Sequence, residues 1–170
     1  MPPSRSRRRR TSSGASTTSA PRPEALDAGA TMSDDVARIN ALIKPLLPGT
    51  LGMEFVEASA ERAVARLTVR PDLCTAGDIL HGGAIMAFAD TIGAIATVVN
   101  MPKGARTATI ESKTNFVSGA PVGSVVTGTA EAFHKGKTTQ VWQTKITGAD
   151  GRLVAVVTQT QMIIPARDGA

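Results

Sequence analysis

Four residues carry most of the chemical information in this chain: His81, Gly82 and Gly83 in a row, and Asp90 nine residues after the histidine. They lie in the run ILHGGAIMAFADTIGAIATVVN, Ile79 to Asn100, which is apolar from Ala84 to Val99 apart from Asp90, Thr91 and Thr97. A helix that is apolar on every face belongs inside a core, so this run predicts a buried helix with the glycines in its first turn. Free N–H groups and the positive end of the helix dipole make that turn a place for negative charge. Glycine there lets a ligand approach the backbone closely. Two turns later stands a carboxylate whose burial is costly unless something compensates it. One helix therefore offers a donor-rich end and a buried acid.

Other reactive side chains read more plainly. Cys74 lies seven residues before His81, so a Cys–His nucleophile is conceivable, but a lone cysteine ordinarily serves as a small apolar filler. It allows no internal disulfide, in keeping with a reducing compartment and a cytoplasmic location. Two histidines and one cysteine do not make a metal cluster, and His134 reads as a strand-end surface residue. Each leading residue also has a plainer reading: Asp90 as a solvated or paired carboxylate, His81 as a helix-entry residue, the glycines as contacts for close helix packing.

The surrounding elements must hold these groups in place. Residues 1–31 contain six Arg against Glu24 and Asp27, with Ser, Thr, Pro and Gly and almost nothing to bury. They read as a disordered extension upstream of a domain spanning 32–165, with a short tail over 166–170. Most of the net charge of +5 belongs to that extension. The pattern predicts a helix from Asp35 to Leu47 closed by Pro45 and Pro48, then strands over 51–58 and 61–70, and a loop over 71–78. After the central helix come four strands, 107–117, 124–134, 138–147 and 153–163, expected as a meander. The central run is long enough to tempt a membrane reading, but Asp90 at its middle and the flanking half-buried strand patterns argue against one. One antiparallel sheet must cover one apolar helix, so the expected class is α+β, a curled sheet wrapped around a long buried helix. Six strands leave an edge open, which pairing with a second copy would cover.

The combination Leu80-His81-Gly82-Gly83 with Ala89-Asp90-Thr91, in this strand-helix-strand context and followed by Asn115-Phe116-Val117-Ser118 to Gly123, resembles the acyl-CoA thioesterases of the hotdog fold, in their PaaI-like branch. The likeness covers about residues 45–164. It implies that Asp90 is the catalytic carboxylate, as general base or nucleophile, and that the Gly82 N–H polarises the thioester carbonyl. His81 would orient the turn or bond the substrate carbonyl, with Gly83 in support and Thr109 supplying a hydroxyl that positions water. Family members commonly carry Asn or Gln six residues before the histidine. Here that place holds Thr75, whose hydroxyl can bond a water or a carbonyl but does not imitate an amide. The family builds each site between two subunits, which implies a dimer or a dimer of dimers, a homotetramer.

The residue chemistry agrees, since thioester hydrolysis needs donors for an oxyanion and a base. Coenzyme A brings phosphates, for which Arg106, Lys135 and Lys137 are the candidates, with Lys113 a weaker one. An apolar pocket lined by Ile85, Met86 and Phe88 is expected, and no metal or redox cofactor. Two rivals share the sequence: an acyl-CoA sensor on the same fold that lacks chemistry, and a nucleic-acid binder working through Arg5 to Arg10. Against the second stands a nearly neutral domain with few aromatic residues to stack on bases.

Overall fold

The computed structural model describes residues 32–166; the expected disordered extension over 1–31 and residues 167–170 lie outside the described residues. Helix α1, Met32–Ile43, places Ile39 and Ile43 in the core. It ends before the Leu47 expected from sequence, because Pro48 opens a second helix rather than closing the first. That proline sits in the first turn of α2, Leu47–Leu51, where a missing N–H is no loss.

Strands β1, Met53–Ala58, and β2, Arg62–Thr68, form the expected hairpin, with Ala63, Ala65 and Leu67 inward and Arg62, Arg66 and Thr68 outward. The segment expected as a loop is more ordered. It holds a single 3-10 turn, Pro71–Leu73, and two-residue strands β3, Cys74–Thr75, and β4, Ile79–Leu80, which pair with each other. Helix α3 then runs from Gly82 to Asn100.

The remaining strands are β5, Arg106–Phe116; β6, Val125–Lys135; β7, Thr139–Gly148; and β8, Leu153–Ile164. Their bounds match the alternation in sequence closely, but their arrangement is not the expected meander. The sheet order is β1-β2-β6-β7-β8-β5, antiparallel throughout, with β5 on the far edge beside β8. The connection after β5 explains this. Its Val117 N–H bonds Val154 O at 2.9 Å and its Gly123 N–H bonds Val69 O at 2.8 Å, so it carries the chain across the sheet from the β8 side to the β2 side.

The sheet curls around α3 as expected. Phe88, Ala89, Ile92 and Ala96 have no exposed surface, and the single tryptophan, Trp142, is equally buried, donating its ring N–H to Thr97 Oγ1 at 2.9 Å. Gly128 on β6 permits this close approach, since a Cβ there would overlap Ile92 and Phe88. Truncating a ring as enclosed as that of Phe88 costs about 3–5 kcal/mol, so this face fixes where the helix lies. By length and mean hydropathy, 1.6, α3 could cross a membrane; here it is the helix the sheet encloses. The enclosure is one-sided, unlike the all-round burial predicted. Gly83 and Met86 are exposed, and Asp90 is only half-buried.

Candidate active site

The first turn of α3 is built by its neighbours. His81 N–H bonds Leu73 O at 2.8 Å and Leu80 N–H bonds Ala120 O at 2.9 Å, which pins the helix entry between the 3-10 turn and the β5–β6 connection. His81 is the N-cap, in extended backbone, and its Nδ1 accepts the Gly83 N–H at 2.8 Å. An imidazole nitrogen that accepts carries no proton, so the proton of the neutral ring sits on Nε2, which is left as a donor. The first helical bond is from Ile85 N–H to His81 O, 3.1 Å. The Gly82 amide comes before that bond and has no partner within the helix. Glycine keeps this turn clear of its neighbour as well, since a Cβ would lie 3.2 Å from the Phe116 ring. Beside it opens a cleft of about 340 Å³ lined by Ile79, Leu80, Gly82, Ile85, Phe116 and Val117, together with Ser118 and Gly119. Of the three residues expected to line an apolar pocket, only Ile85 does so: Phe88 is in the core and Met86 points outward.

Asp90 sits two turns further on, at the open side of the helix. Thr109 Oγ1 donates to its Oδ1 at 2.9 Å, and Gln161 Nε2 donates to Thr109 Oγ1 at the same distance. A second amide, on Gln159, donates to the Asp90 carbonyl at 3.2 Å. It occupies the space where a Cβ on Gly93 would stand. The structure therefore brings Thr109 to Asp90, as the family pattern implies, and adds two glutamines that reading the sequence did not single out. A signal was present: Gln159 and Gln161 fall in phase with inward Val157 and Ile163 on β8, and polar residues on a core-facing register call for partners.

Other candidates are placed less centrally. Thr75 is exposed, paired with Ile79 of the cleft wall. Arg106 pairs with Ile164, and the exposed Lys137 precedes Thr138, whose carbonyl accepts from Ile163, so both lie at one end of the sheet. Lys135 turns instead to the β1–β2 hairpin, donating to Ala60 O at 2.9 Å. The Cys–His pairing is not made. Cys74 Sγ donates to Arg70 O at 3.2 Å, and burial, with the charges of Asp78 and Asp72, pushes its thiol above the usual range, which disfavours a thiolate.

A curled antiparallel sheet wrapped around one long helix, with a glycine-rich helix entry and a threonine-bound carboxylate on the helix's open face, defines a hotdog-fold protein. The chain belongs to the thioesterase superfamily, whose family model matches residues 77–155, and it is a thioester hydrolase by class. It is 32% identical to the 1,4-dihydroxy-2-naphthoyl-CoA hydrolase of Listeria monocytogenes, over 65% of this chain and 89% of that one. Among solved structures, a single-residue mutant of a thioesterase from Pseudomonas aeruginosa superposes with a TM-score of 0.74 at 27% identity, covering 77% of this chain and 94% of the other. The PaaI protein of the Escherichia coli phenylacetic acid degradation operon shares the fold, with a TM-score of 0.69 at 21% identity over 80% of this chain and 98% of its own.

Proposed function

We propose that this protein hydrolyses acyl-CoA thioesters to a free acid and CoA, at sites completed by two copies of the chain and without a metal or redox cofactor. The observation that carries this reading is a separation. The free Gly82 amide and the Asp90 carboxylate lie eight residues apart on one helix, about 12 Å along its axis at the usual rise. One carbonyl does not span that gap, so the donor and the acid that act on it come from different subunits.

The exposed β5 edge, with Ile110 and Phe116 more than half exposed and Met86 on the neighbouring helix, is where a second copy would extend the sheet. In the resulting site, Asp90 takes a proton from water as its oxygen adds to the thioester carbon, or adds to that carbon itself to give an acyl anhydride that water then opens. Either way the negative charge gathers on the former carbonyl oxygen. The Gly82 N–H of the partner subunit donates to that oxygen, with the Nε2–H of its His81 beside it. Collapse breaks the C–S bond and releases CoA. Support for the CoA ester comes from the name of the Listeria relative, and we assign its phosphates to Arg106 and Lys137, which lie at one end of the sheet.

The test uses two defective chains. Asp90→Asn keeps size and removes the base. Gly82→Pro removes the amide hydrogen; proline suits the first helical position, His81 already has the extended backbone, φ −64° and ψ 138°, that precedes proline, and the half-exposed Phe116 ring must give way by a few tenths of an ångström to admit the proline Cβ. Each alone should lower turnover of a panel of short-chain, medium-chain and aryl acyl-CoAs by about a hundredfold. Unfolded and remixed in equal amounts, they should regain about a quarter of wild-type activity, because half the dimers then hold one intact site of two. Failure of the mixture to exceed either variant, with dimers present, would refute a shared site.

A further inference from the structure

Behind Asp90 runs a chain of hydrogen bonds with a defined direction. Thr107 Oγ1 lies 2.9 Å from Gln161 Oε1, Gln161 Nε2 lies 2.9 Å from Thr109 Oγ1, and Thr109 Oγ1 lies 2.9 Å from Asp90 Oδ1. Gln161 has no exposed surface. It stands directly opposite Thr109 in the β5–β8 ladder, immediately before the bulge that shifts the register between Thr109 and Glu111. Bulges of this kind commonly re-aim side chains beside active sites.

A threonine hydroxyl has one hydrogen to give, and it can give it to either neighbour. With the Gln161 N–H filling an acceptor position on Oγ1, that hydrogen goes to the carboxylate. The opposite orientation of the amide would present Oε1 to Thr109, draw the hydrogen away and set two acceptors against each other at Asp90. Thr107 discourages this, because its hydroxyl donates to Gln161 Oε1, although Met162 O at 3.1 Å competes for the same hydrogen.

We infer that Gln161 is a positioning residue for Asp90: its buried amide commits the Thr109 hydroxyl to Asp90 Oδ1 and so leaves Oδ2 as the oxygen presented to water or thioester. This rests on Asp90 being the reacting carboxylate, as proposed above. Gln161 touches no substrate, so its contribution falls on turnover and not on binding. Gln159 has a different part, since it holds the helix backbone at the Asp90 carbonyl and leaves the carboxylate alone.

The experiment is a double-mutant cycle on the full chain, read with whichever acyl-CoA of the panel turns over fastest. Gln161→Met keeps the length of the side chain and loses the amide. It should lower kcat by about tenfold, the scale of one hydrogen bond to a charged group, with KM within about twofold. Thr109→Val should lower kcat similarly, and adding Gln161→Met to it should change nothing further, because the glutamine then has no hydroxyl to direct. In a Thr109→Ser background the effect of Gln161→Met should return. An unchanged kcat in Gln161→Met, full additivity with Thr109→Val, or a loss confined to KM would each overturn the inference. Buried Trp142 reports whether each variant folds. Should Gln161→Met not fold, Thr107→Val loosens the same chain from the sheet rim and should cost about threefold in kcat, less than losing the amide itself; no change there would overturn the inference equally. Asp90→Asn separates the two ideas. If it keeps activity, the catalytic assignment fails; if it is inactive while Gln161→Met is normal, only the role of Gln161 fails.

Discussion

The two edges of the sheet are treated in opposite ways. Strand β1 is six residues long, carries Glu54 and Glu57, and is packed by α1. Its backbone is also closed from the side: Asn40 of α1 accepts the Phe55 N–H at 2.8 Å and donates to the Phe55 carbonyl at 2.9 Å. One amide thus occupies both outward backbone groups of Phe55, at the middle of the edge. Strand β5 is eleven residues long and also bears charge, on Arg106, Glu111 and Lys113, but it leaves Ile110 and Phe116 exposed, and among the described residues no helix or side-chain amide closes its outer edge. Edges left open in this way invite pairing, and proteins normally blunt them with charge, shortness or cover. On the reading proposed above, the β1 edge is closed to a neighbour and the β5 edge is where a second copy docks. The β5 edge is also the one that carries Thr109 and, through it, Asp90.

Two changes put that contrast at risk and a third stands beside them as a control, in falling order of effect. Lysine is a natural blocker of open edges, so Ile110→Lys should leave a folded monomer by light scattering, with Trp142 fluorescence unaltered. Turnover should fall by about a hundredfold, because the oxyanion donor would then be missing. A monomer that stays active would show that one chain suffices. Asn40→Ala should do the reverse, lowering stability by about 1–3 kcal/mol as the Phe55 groups lose their partner, and raising the tendency to self-associate while kcat per folded chain holds. Equal stability in a denaturant titration would mean that water replaces Asn40 without loss.

The smallest effect is expected at Cys74, which lies on neither edge. Its thiol is held above its ordinary range by burial, so below that range it stays protonated and alkylation at neutral pH should be slower than for free cysteine. Cys74→Ser should leave kcat within about twofold, since the proposed reaction gives this thiol no step. A larger loss would reopen the cysteine as a nucleophile.

Much of the site is legible in the chain because it is local. His81, Gly82 and Gly83 owe their role to a helix entry, and a cap, two glycines and an apolar run are sequence neighbours whatever the rest of the fold does. The strands are equally plain, since period-two alternation follows from the backbone alone. Asp90 reads as buried because its neighbours in sequence are almost all apolar, but burial is a property of what packs around the helix, and the sheet covers only one side of it. A meander puts β5 beside β6 because the two are consecutive, while the connection between them crosses the sheet.

Spacing along the chain is enough to set the elements and to mark the histidine–glycine entry of one helix and the acid within it. Strand order, the open face of α3 and the union of Thr107, Thr109, Gln161 and Asp90 arise only when the chain packs. Those four residues span more than fifty positions and meet through a ladder register and a bulge. No periodicity encodes such a meeting, because it depends on which strands lie side by side once the core around Phe88 and Trp142 has formed.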